Sequence, residues 1–502
     1  MGAGAARGDE RDLKTIETSI PARLDRLPWS KFHWRVVFGL GIVWILDGLE
    51  VTIIGFLAPT LVEPGSGIEL TNGDISAAAS LYVAGACVGA LFFGQLTDRF
   101  GRKNLFMITL AVYLAATVAT AFSFSAWWFL AARFFTGAGI GGEYAAINSA
   151  IDELIPARAR GRIDLIINGS FWLGAAGGAL LSIILLKETV FALDVGWRVA
   201  FGLGALLGLG ILLVRRNVPE SPRWLFIHGR EEEAERIVSE IEQSVQAETN
   251  QSLAEPEGRP LTIRQRKTIP FREIARVAFS RYPKRAVLGL ALFIGQAFLY
   301  NGVTFNLGTL LNGFYGIASG SVPVFYALWA LSNFAGPVVL GRLFDTVGRK
   351  AMISFSYLGS AAMAAVLAAV FVTETGGIWV FMAVLAVCFF LASAGASAAY
   401  LTVSEIFPME TRALAIAFFY AVGTAIGGIT GPLLFGQLIE SGDRGLAMLS
   451  FLIGAAVMAI AGVVEVVLGV RAERRQLEDL ALPLTTADEA TEGRNRVGAS
   501  EE

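Results

Sequence analysis

The chain has little of what a soluble enzyme normally uses. It holds two cysteines and two histidines in 502 residues, and only 17% of its side chains are charged. Cys87 and Cys388 both fall inside apolar runs, which excludes a disulfide framework and a thiolate metal site. His33 and His228 lie in polar segments with no metal-ligand spacing and no nucleophile-base arrangement beside them. Neither an enzyme, a metal centre nor a cofactor is therefore expected. The formal net charge of -3 says little about partners, but no nucleic-acid footprint is visible and no nucleic-acid partner is expected. The glycine-rich run RFFTGAGIGG (133–142) is no phosphate cradle, because it lies inside an apolar span rather than after a strand. Its glycines permit close helix approach. The stretch up to Arg35 has no short apolar core with a cleavage site, so it does not read as a signal peptide.

What the chain has in excess is apolar surface. Hydrophobic residues make up 54% of it and the mean hydropathy is +0.59, the composition of a polytopic membrane protein. A helix needs roughly 20 mainly apolar residues to cross a bilayer. Twelve runs qualify, near 36–60, 74–96, 104–123, 126–149, 163–187, 196–215, 286–308, 320–342, 350–373, 377–402, 412–437 and 444–470. The expected fold is an all-α membrane protein of twelve transmembrane helices in two pseudo-symmetric six-helix bundles. Residues 1–35 form an N-terminal segment, 36–215 the first bundle, 216–285 a linker, 286–471 the second bundle and 472–502 a tail expected to be disordered. The linker carries two amphipathic stretches, GREEEAERIVSEIEQ and IPFREIARVAF, read as surface helices that lie on the membrane or brace a gate.

Lys and Arg cluster in the N-terminal segment and in alternate loops, at Arg99, Arg102, Lys103, then Arg158, Arg160, Arg162, then Arg342, Arg349, Lys350. The loops between them are nearly bare, which predicts a multi-pass plasma-membrane protein with both termini cytoplasmic. An internal repeat gives the same layout. GQLTDRFGRK (94–103) recurs as GRLFDTVGRK (341–350), and DELIPARAR (152–160) is echoed by SEIFPMETR (404–412).

On these motifs the chain resembles the major facilitator superfamily over nearly its whole length. PESPRWL (219–225) is similar to the sequence after the sixth helix of sugar porters, while RLDRLPWSKFHWR (23–35) and RFFTGAGIGGEY (133–144) are similar to proton-coupled metabolite symporters related to synaptic vesicle protein 2. The seventh helix, GQAFLYNGVTF, departs from the sugar-porter pattern, and RAERRQLEDL (471–480) lacks that family's closing signature, which argues against a hexose. GSFWLGAAGGAL (169–180) lacks the proline of the drug-antiporter motif. The resemblance implies two bundles rocking about a midplane cavity lined by the first, fourth, seventh and tenth helices.

Ionisable groups deep in a bilayer cost roughly 2.5–3.5 kcal/mol each on insertion scales, so each needs a partner or a task. Asp47 and Glu50 in WILDGLEVTIIG share one face of the first helix, and Arg133 enters at similar depth on the fourth. An Arg favours the ionised carboxylate while burial opposes it, a competition suited to proton coupling. By the resemblance, Glu50 and Arg133 form the coupling pair, with Asp47 sharing or shaping it. A static salt bridge is the alternative for Arg133 with one acid. Glu143 could serve a gate or the substrate, or face water.

The second half is nearly free of intramembrane charge. Gln296, Tyr300, Asn301, Asn306, Trp329, Asn333, Tyr400 and Tyr420, with Asn148, Asn168 and Trp172 from the first half, are the candidates for binding a polar ligand. The repeated loops supply a gate. Asp98, Arg99, Arg102, Lys103, Glu153 and Arg160, with Asp345, Arg349, Glu405 and Arg412, can bridge the halves when the cytoplasmic side is shut, each exposed pair adding about 0–1 kcal/mol. The expected function is a secondary transporter, working as a monomer, that moves a small polar metabolite, an organic acid or sugar-like, with a proton. A proton-antiporting exporter and a transporter-like receptor are the alternatives.

Overall fold

The structure is a computed structural model. It describes residues 15–481 apart from positions 101, 188, 216–219, 251, 257–260, 265–270, 409–411, 474 and 476–479. Most of the expected tail lies outside the described residues, as do the side chains of Asp98, Arg99, Arg102 and Lys103.

A strand β1 (Thr15–Thr18) and a short helix α1 (Ile20–Asp25) lead into the first crossing, α2 (Lys31–Val62). At its start the Ser30 amide donates to His33 Nδ1 at 3.2 Å, satisfying an N–H that the helix itself leaves unpaired. Then follow α3 (Asn72–Phe100), α4 (Arg102–Ala121), α5 (Ala126–Leu154), the pair α6 (Arg160–Gly169) and α7 (Phe171–Leu185), and α8 (Leu193–Arg215). Between the halves lie α9 (Pro222–Ile227), α10 (Glu231–Thr249), β2 (Leu261–Arg264) and α11 (Phe271–Arg276), which runs on as a π-helical turn at Val277–Arg281. The second half is α12 (Pro283–Tyr315), α13 (Val322–Thr346), α14 (Arg349–Thr373), α15 (Gly377–Ile406), α16 (Arg412–Glu440) and α17 (Arg444–Leu468).

Ten of these crossings are long and apolar enough to span a membrane, α6 and α7 counting as one. The described apolar run of α4, Met107–Ala121, is shorter. α5 has 29 residues, about 43 Å at 1.5 Å per residue. Together they make twelve crossings in two sets of six. Polar and glycine caps set the ends: Ser125 accepts from Trp128 N before α5, Asp443 from Leu446 N before α17, and Gly316 closes α12 at φ 63°.

The glycines of RFFTGAGIGG draw α5 onto α3. A Cβ on Gly137 would lie 1.9 Å from the Tyr82 carbonyl oxygen and one on Gly141 2.0 Å from that of Ala86. Gly85 and Gly89 of α3 return the contact at 2.0 Å from the carbonyls of Phe134 and Ala138. No larger residue fits this ladder, so the run is a packing seam.

The segment outside the bundles corrects one expectation. The apolar stripe of GREEEAERIVSEIEQ does not lie on a membrane surface. Ala234, Val238, Ile241 and Val245 of α10 pack on Ile20, Leu24 and Leu27 of the N-terminal segment and on Leu225 and Phe226 of α9 as a small second core. Arg23 bonds Glu242 at 2.7 Å and Arg26 bonds it at 2.5 Å. β1 pairs antiparallel with β2, Thr15 opposite Arg264 and Thr18 opposite Leu261, the departure from an all-helical chain among the described residues.

Candidate functional site

The site rests on α2, which is pressed against α7. A Cβ on Gly48 would lie 1.8 Å from the Phe171 carbonyl oxygen, and one on Gly174 1.6 Å from that of Ile45. The crossing made by α6 and α7 is interrupted between them at Ser170, whose hydroxyl reaches the carbonyls of Ile167 at 2.6 Å and Gly41 at 3.1 Å. This fixes the register of α2, and with it the depth of its acids.

Glu50 and Arg133 meet there. Arg133 Nη1 donates to Glu50 Oε1 at 3.1 Å, and the Thr117 hydroxyl of α4 donates to the same oxygen at 3.1 Å. Neither charged side chain is exposed. Gly204 of α8 makes room, since a Cβ there would sit 2.8 Å from Glu50 Oε2. The guanidinium carbon also lies 5.0 Å from the Tyr82 ring centroid and 5.7 Å from that of Phe201. Arg133 Nε and Nη2 find no acceptor among the described residues, so the pair is held by a single bond. Asp47 is fully buried one turn away on α2. Glu143 is buried too, but it faces α4, where Thr109 Oγ1 donates to it at 3.3 Å.

Next to the pair lies a cavity of about 140 Å³ between the halves. Tyr82 stands between the two, touching Arg133 on one side and lining the cavity on the other. Of the candidate ligand residues, Asn168, Trp172, Gln296, Tyr300, Asn301, Tyr400 and Tyr420 line it. The others do not line it. Asn148 stands behind Asn168, accepting its amide N–H at 3.0 Å. Asn333 accepts the Tyr300 hydroxyl at 2.8 Å, and Trp329 packs edge-on to Trp172 at 5.0 Å, so both support the wall rather than form it. Asn306 bonds Ser76 at 3.1 Å on the far side. Glu143 likewise points away from the cavity, toward α4.

Several wall residues were not anticipated from the sequence. Trp44 stacks on Tyr144 with centroids 4.8 Å apart and planes 16° apart, and Tyr144 meets Tyr420 edge-on at 5.4 Å. Phe171, Ser393, Ser397, Thr304 and Thr424 also line the cavity, with Val51, Val83, Phe305 and Ala396 between them. Trp44 lies one turn before Asp47 and Tyr144 one turn before Asn148, a spacing that could have marked them. No charged side chain lines the cavity among the described residues. The walls are aromatic faces and neutral hydrogen-bonding groups.

The halves touch on both sides of this space. Toward the end that carries the chain termini, Asp345 Oδ2 accepts the backbone N–H of Arg162 at 2.8 Å, a bond from the second half to the first. Arg349 holds Asp345 at 2.8 Å and grips both oxygens of Glu405 at 3.1 and 3.2 Å. Gly161 is needed there, because a Cβ would lie 2.2 Å from Arg349 Nη1. Other residues expected at this gate make contacts around it. Arg160 bonds Asp25 at 3.4 Å and Glu153 accepts the Ser221 hydroxyl, contacts with the N-terminal segment and the linker. Arg412 donates to the Ser404 carbonyl at 2.6 Å within its own half. At the opposite end, Ser76 bonds Asn306, Ser80 donates to the Ile429 carbonyl at 3.1 Å, and Ser319 donates to Glu63.

The sequence family described as sugar (and other) transporters matches residues 51–481. The chain belongs to this family of the major facilitator superfamily. It is a multi-pass membrane protein and a secondary transporter of a small metabolite, not an enzyme. Among the relatives of this transporter is the niacin transporter NiaP of Acinetobacter baylyi, 29% identical over 464 residues that span 92% of this chain and 99% of that one. The 4-hydroxybenzoate transporter PcaK of Pseudomonas putida is 26% identical, covering 88% of this chain and 94% of its own. In fold, the transporter is similar to the proton:xylose symporter XylE bound to 6-bromo-6-deoxy-D-glucose, with a TM-score of 0.71, 20% identity and coverage of 90% and 98%.

Proposed function

We propose that this transporter is a plasma-membrane proton symporter for a small ring-bearing organic acid, working as a monomer by alternating access with both termini cytoplasmic. The observation that carries the reading is an uncharged, aromatic-walled cavity with the Glu50–Arg133 pair directly behind one of its walls, Tyr82. Its volume of about 140 Å³ matches a single ring, since an engineered cavity of about 150 Å³ binds benzene. Flat aromatic walls favour an offset-stacked or edge-on ring. Gln296, Asn301 and Asn168 supply the hydrogen bonds for its polar substituents. The names of the relatives support this choice, because niacin and 4-hydroxybenzoate are both single-ring acids.

The roles follow from charge balance. A proton on Glu50 removes its attraction for Arg133 and frees the guanidinium, while loss of that proton restores the pair. Substrate and proton together neutralise the site, and the two bundles then rock about it. The Asp345–Arg162 contact and the Arg349–Glu405 grip close the cytoplasmic side, while Ser319–Glu63 and Ser76–Asn306 close the outer one. Asp98, Arg99, Arg102 and Lys103 belong to the cytoplasmic closure by their place in the repeat.

The test is uptake by proteoliposomes of labelled nicotinate and 4-hydroxybenzoate, with and without an inward proton gradient. Gradient-driven accumulation with alkalinisation outside is expected. Uptake indifferent to the gradient would overturn symport. A substrate-driven pH change of opposite sign would select the antiporting exporter, and tight binding with no uptake the receptor.

A further inference from the structure

The last crossing carries an acid that the coupling pair does not use. Glu465 of α17 is fully buried, and both of its carboxyl oxygens lack a hydrogen-bond partner among the described residues. It sits where α17 packs on α14 and α12. One turn earlier on α17, a Cβ on Gly462 would lie 2.8 Å from Leu358 of α14, and Ala461 abuts Gly295 of α12. Four residues on, Gly469 leaves the carboxyl its space, since a Cβ there would lie 2.4 Å from Glu465 Oε1. An ionised carboxylate does not persist in such a place without a partner, so the group is carried as the neutral acid.

Among the described residues the titratable groups nearby are few. From α14, Lys350 and Tyr357 interact with it electrostatically. The Tyr357 hydroxyl is committed to the Leu292 carbonyl at 2.9 Å. On α12, Arg285 spends its guanidinium on the carbonyls of Ile406 and Leu480, and on α16 Arg412 donates to that of Ser404. Lys350 is half-buried at the start of α14. Ser354, one turn further along the same face of α14, has a buried hydroxyl oxygen with no partner.

Glu465 is also joined to the closure between the halves. The segment that follows α17 brings Glu473 onto the start of α14, where it accepts the Arg349 backbone N–H at 3.4 Å. Arg349 in turn holds Asp345, which accepts the Arg162 amide of the first half. Parting the halves on this face disturbs Asp345 and Arg349 and admits water to the base of α14.

We propose that Glu465 is a second proton-binding carboxyl of this transporter, protonated while the halves are closed on the termini face and ionised when that face opens. On opening, its O–H bond breaks, the proton passes to the entering water, and the carboxylate left behind pairs with the Lys350 ammonium. Glu465 does not line the cavity, so it sets how opening depends on pH and leaves the substrate-to-proton ratio to Glu50. The proposal rests on the preceding reading only in taking the protein to alternate between two open states.

The experiment uses the full-length transporter in proteoliposomes, spin-labelled at exposed Glu232 and Val347, with the distance distribution followed from pH 5 to 8. Opening of the termini face is expected to rise with pH, the open-to-closed ratio changing up to about tenfold per unit, as release of one proton requires. Glu465→Gln, which keeps the neutral shape, is expected to flatten this slope, while Glu50→Gln retains it. Lys350→Met should move the midpoint to higher pH, a readout that stands even if Glu465→Gln folds poorly. A wild-type slope in Glu465→Gln, or a slope lost only in Glu50→Gln, would overturn the proposal. Absence of gradient-driven uptake with the slope intact would instead overturn the proton-symport reading alone.

Discussion

The two halves repeat the same loop motifs, yet each buries its acid differently. In the first half Glu50 lies beside the cavity with Arg133 and Thr117 as partners. In the second half Glu465 lies away from the cavity, near the closure, with no hydrogen-bond partner among the described residues. A paired acid can exchange one partner for another as its surroundings change, whereas an unpaired one can only keep its proton or meet water. The difference teaches that duplication supplied two similar frames while the acids within them came to lie in separate surroundings.

The largest test of that division is Glu50→Gln. One coupled proton supports about tenfold accumulation per unit of pH gradient, and the variant should accumulate nothing while still exchanging labelled for unlabelled substrate. Vesicle uptake measures both. If Glu465→Gln abolished accumulation equally, the contrast between the halves would be gone. Gly161→Val acts on the contact between them. Its new side chain meets Arg349 and Asp345, and overpacking of about 1–3 kcal/mol should raise the open-to-closed ratio on the termini face about fivefold or more, read as cysteine accessibility there.

Trp172→Ala comes next and concerns the cavity that the halves share. Loss of an aromatic contact of about 0.5–1.5 kcal/mol beyond its burial should weaken half-saturation for a ring substrate by up to roughly tenfold, with the proton ratio unchanged. A change in that ratio would show that recognition and coupling are not separable. Smallest is Arg23→Ala, confined to the cap on the first half, with an expected loss of about 0.5–1 kcal/mol in thermal unfolding. Burial pulls the Glu242 carboxyl up, but hydrogen bonds from Arg23 and Arg26 outweigh it and leave the group below its usual 4.5. The contribution of Glu242 is therefore present above that pH and fades as pH falls through the lowered value, so the difference between Arg23→Ala and wild type should shrink in acid.

The crossings were legible because each needs its own apolar run, and their grouping because GQLTDRFGRK recurs as GRLFDTVGRK. The meeting of Glu50 with Arg133 was legible from depth alone, since straight helices turn residue number into height. Rotation about the helix axis was not. Phe38 of α2 is 62% exposed while Trp44 is 4% exposed, yet both sit in the same oily stretch. An aromatic facing lipid and one facing a cavity look alike in sequence. The same ambiguity hid why Trp329 and Asn333 stand behind the wall. Glu465 was legible in principle, as the lone acid in AGVVEVVLG, but no basic residue at matching depth drew notice to it. The β1–β2 pairing left no sequence signal, because four residues near the start meet four from the linker and neither stretch predicts the other.

That pairing bears on how the protein is made. β1 leaves the ribosome before any membrane crossing, and its partner follows only after the whole first bundle and most of the linker. At about 5–20 residues per second, the first strand waits on the order of ten to fifty seconds for the second. Until α10 follows, shortly before β2, Ile20, Leu24 and Leu27 lack its cover. A chain stalled before residue 231 therefore leaves that apolar patch without its cap, even though the six crossings of the first half are already made.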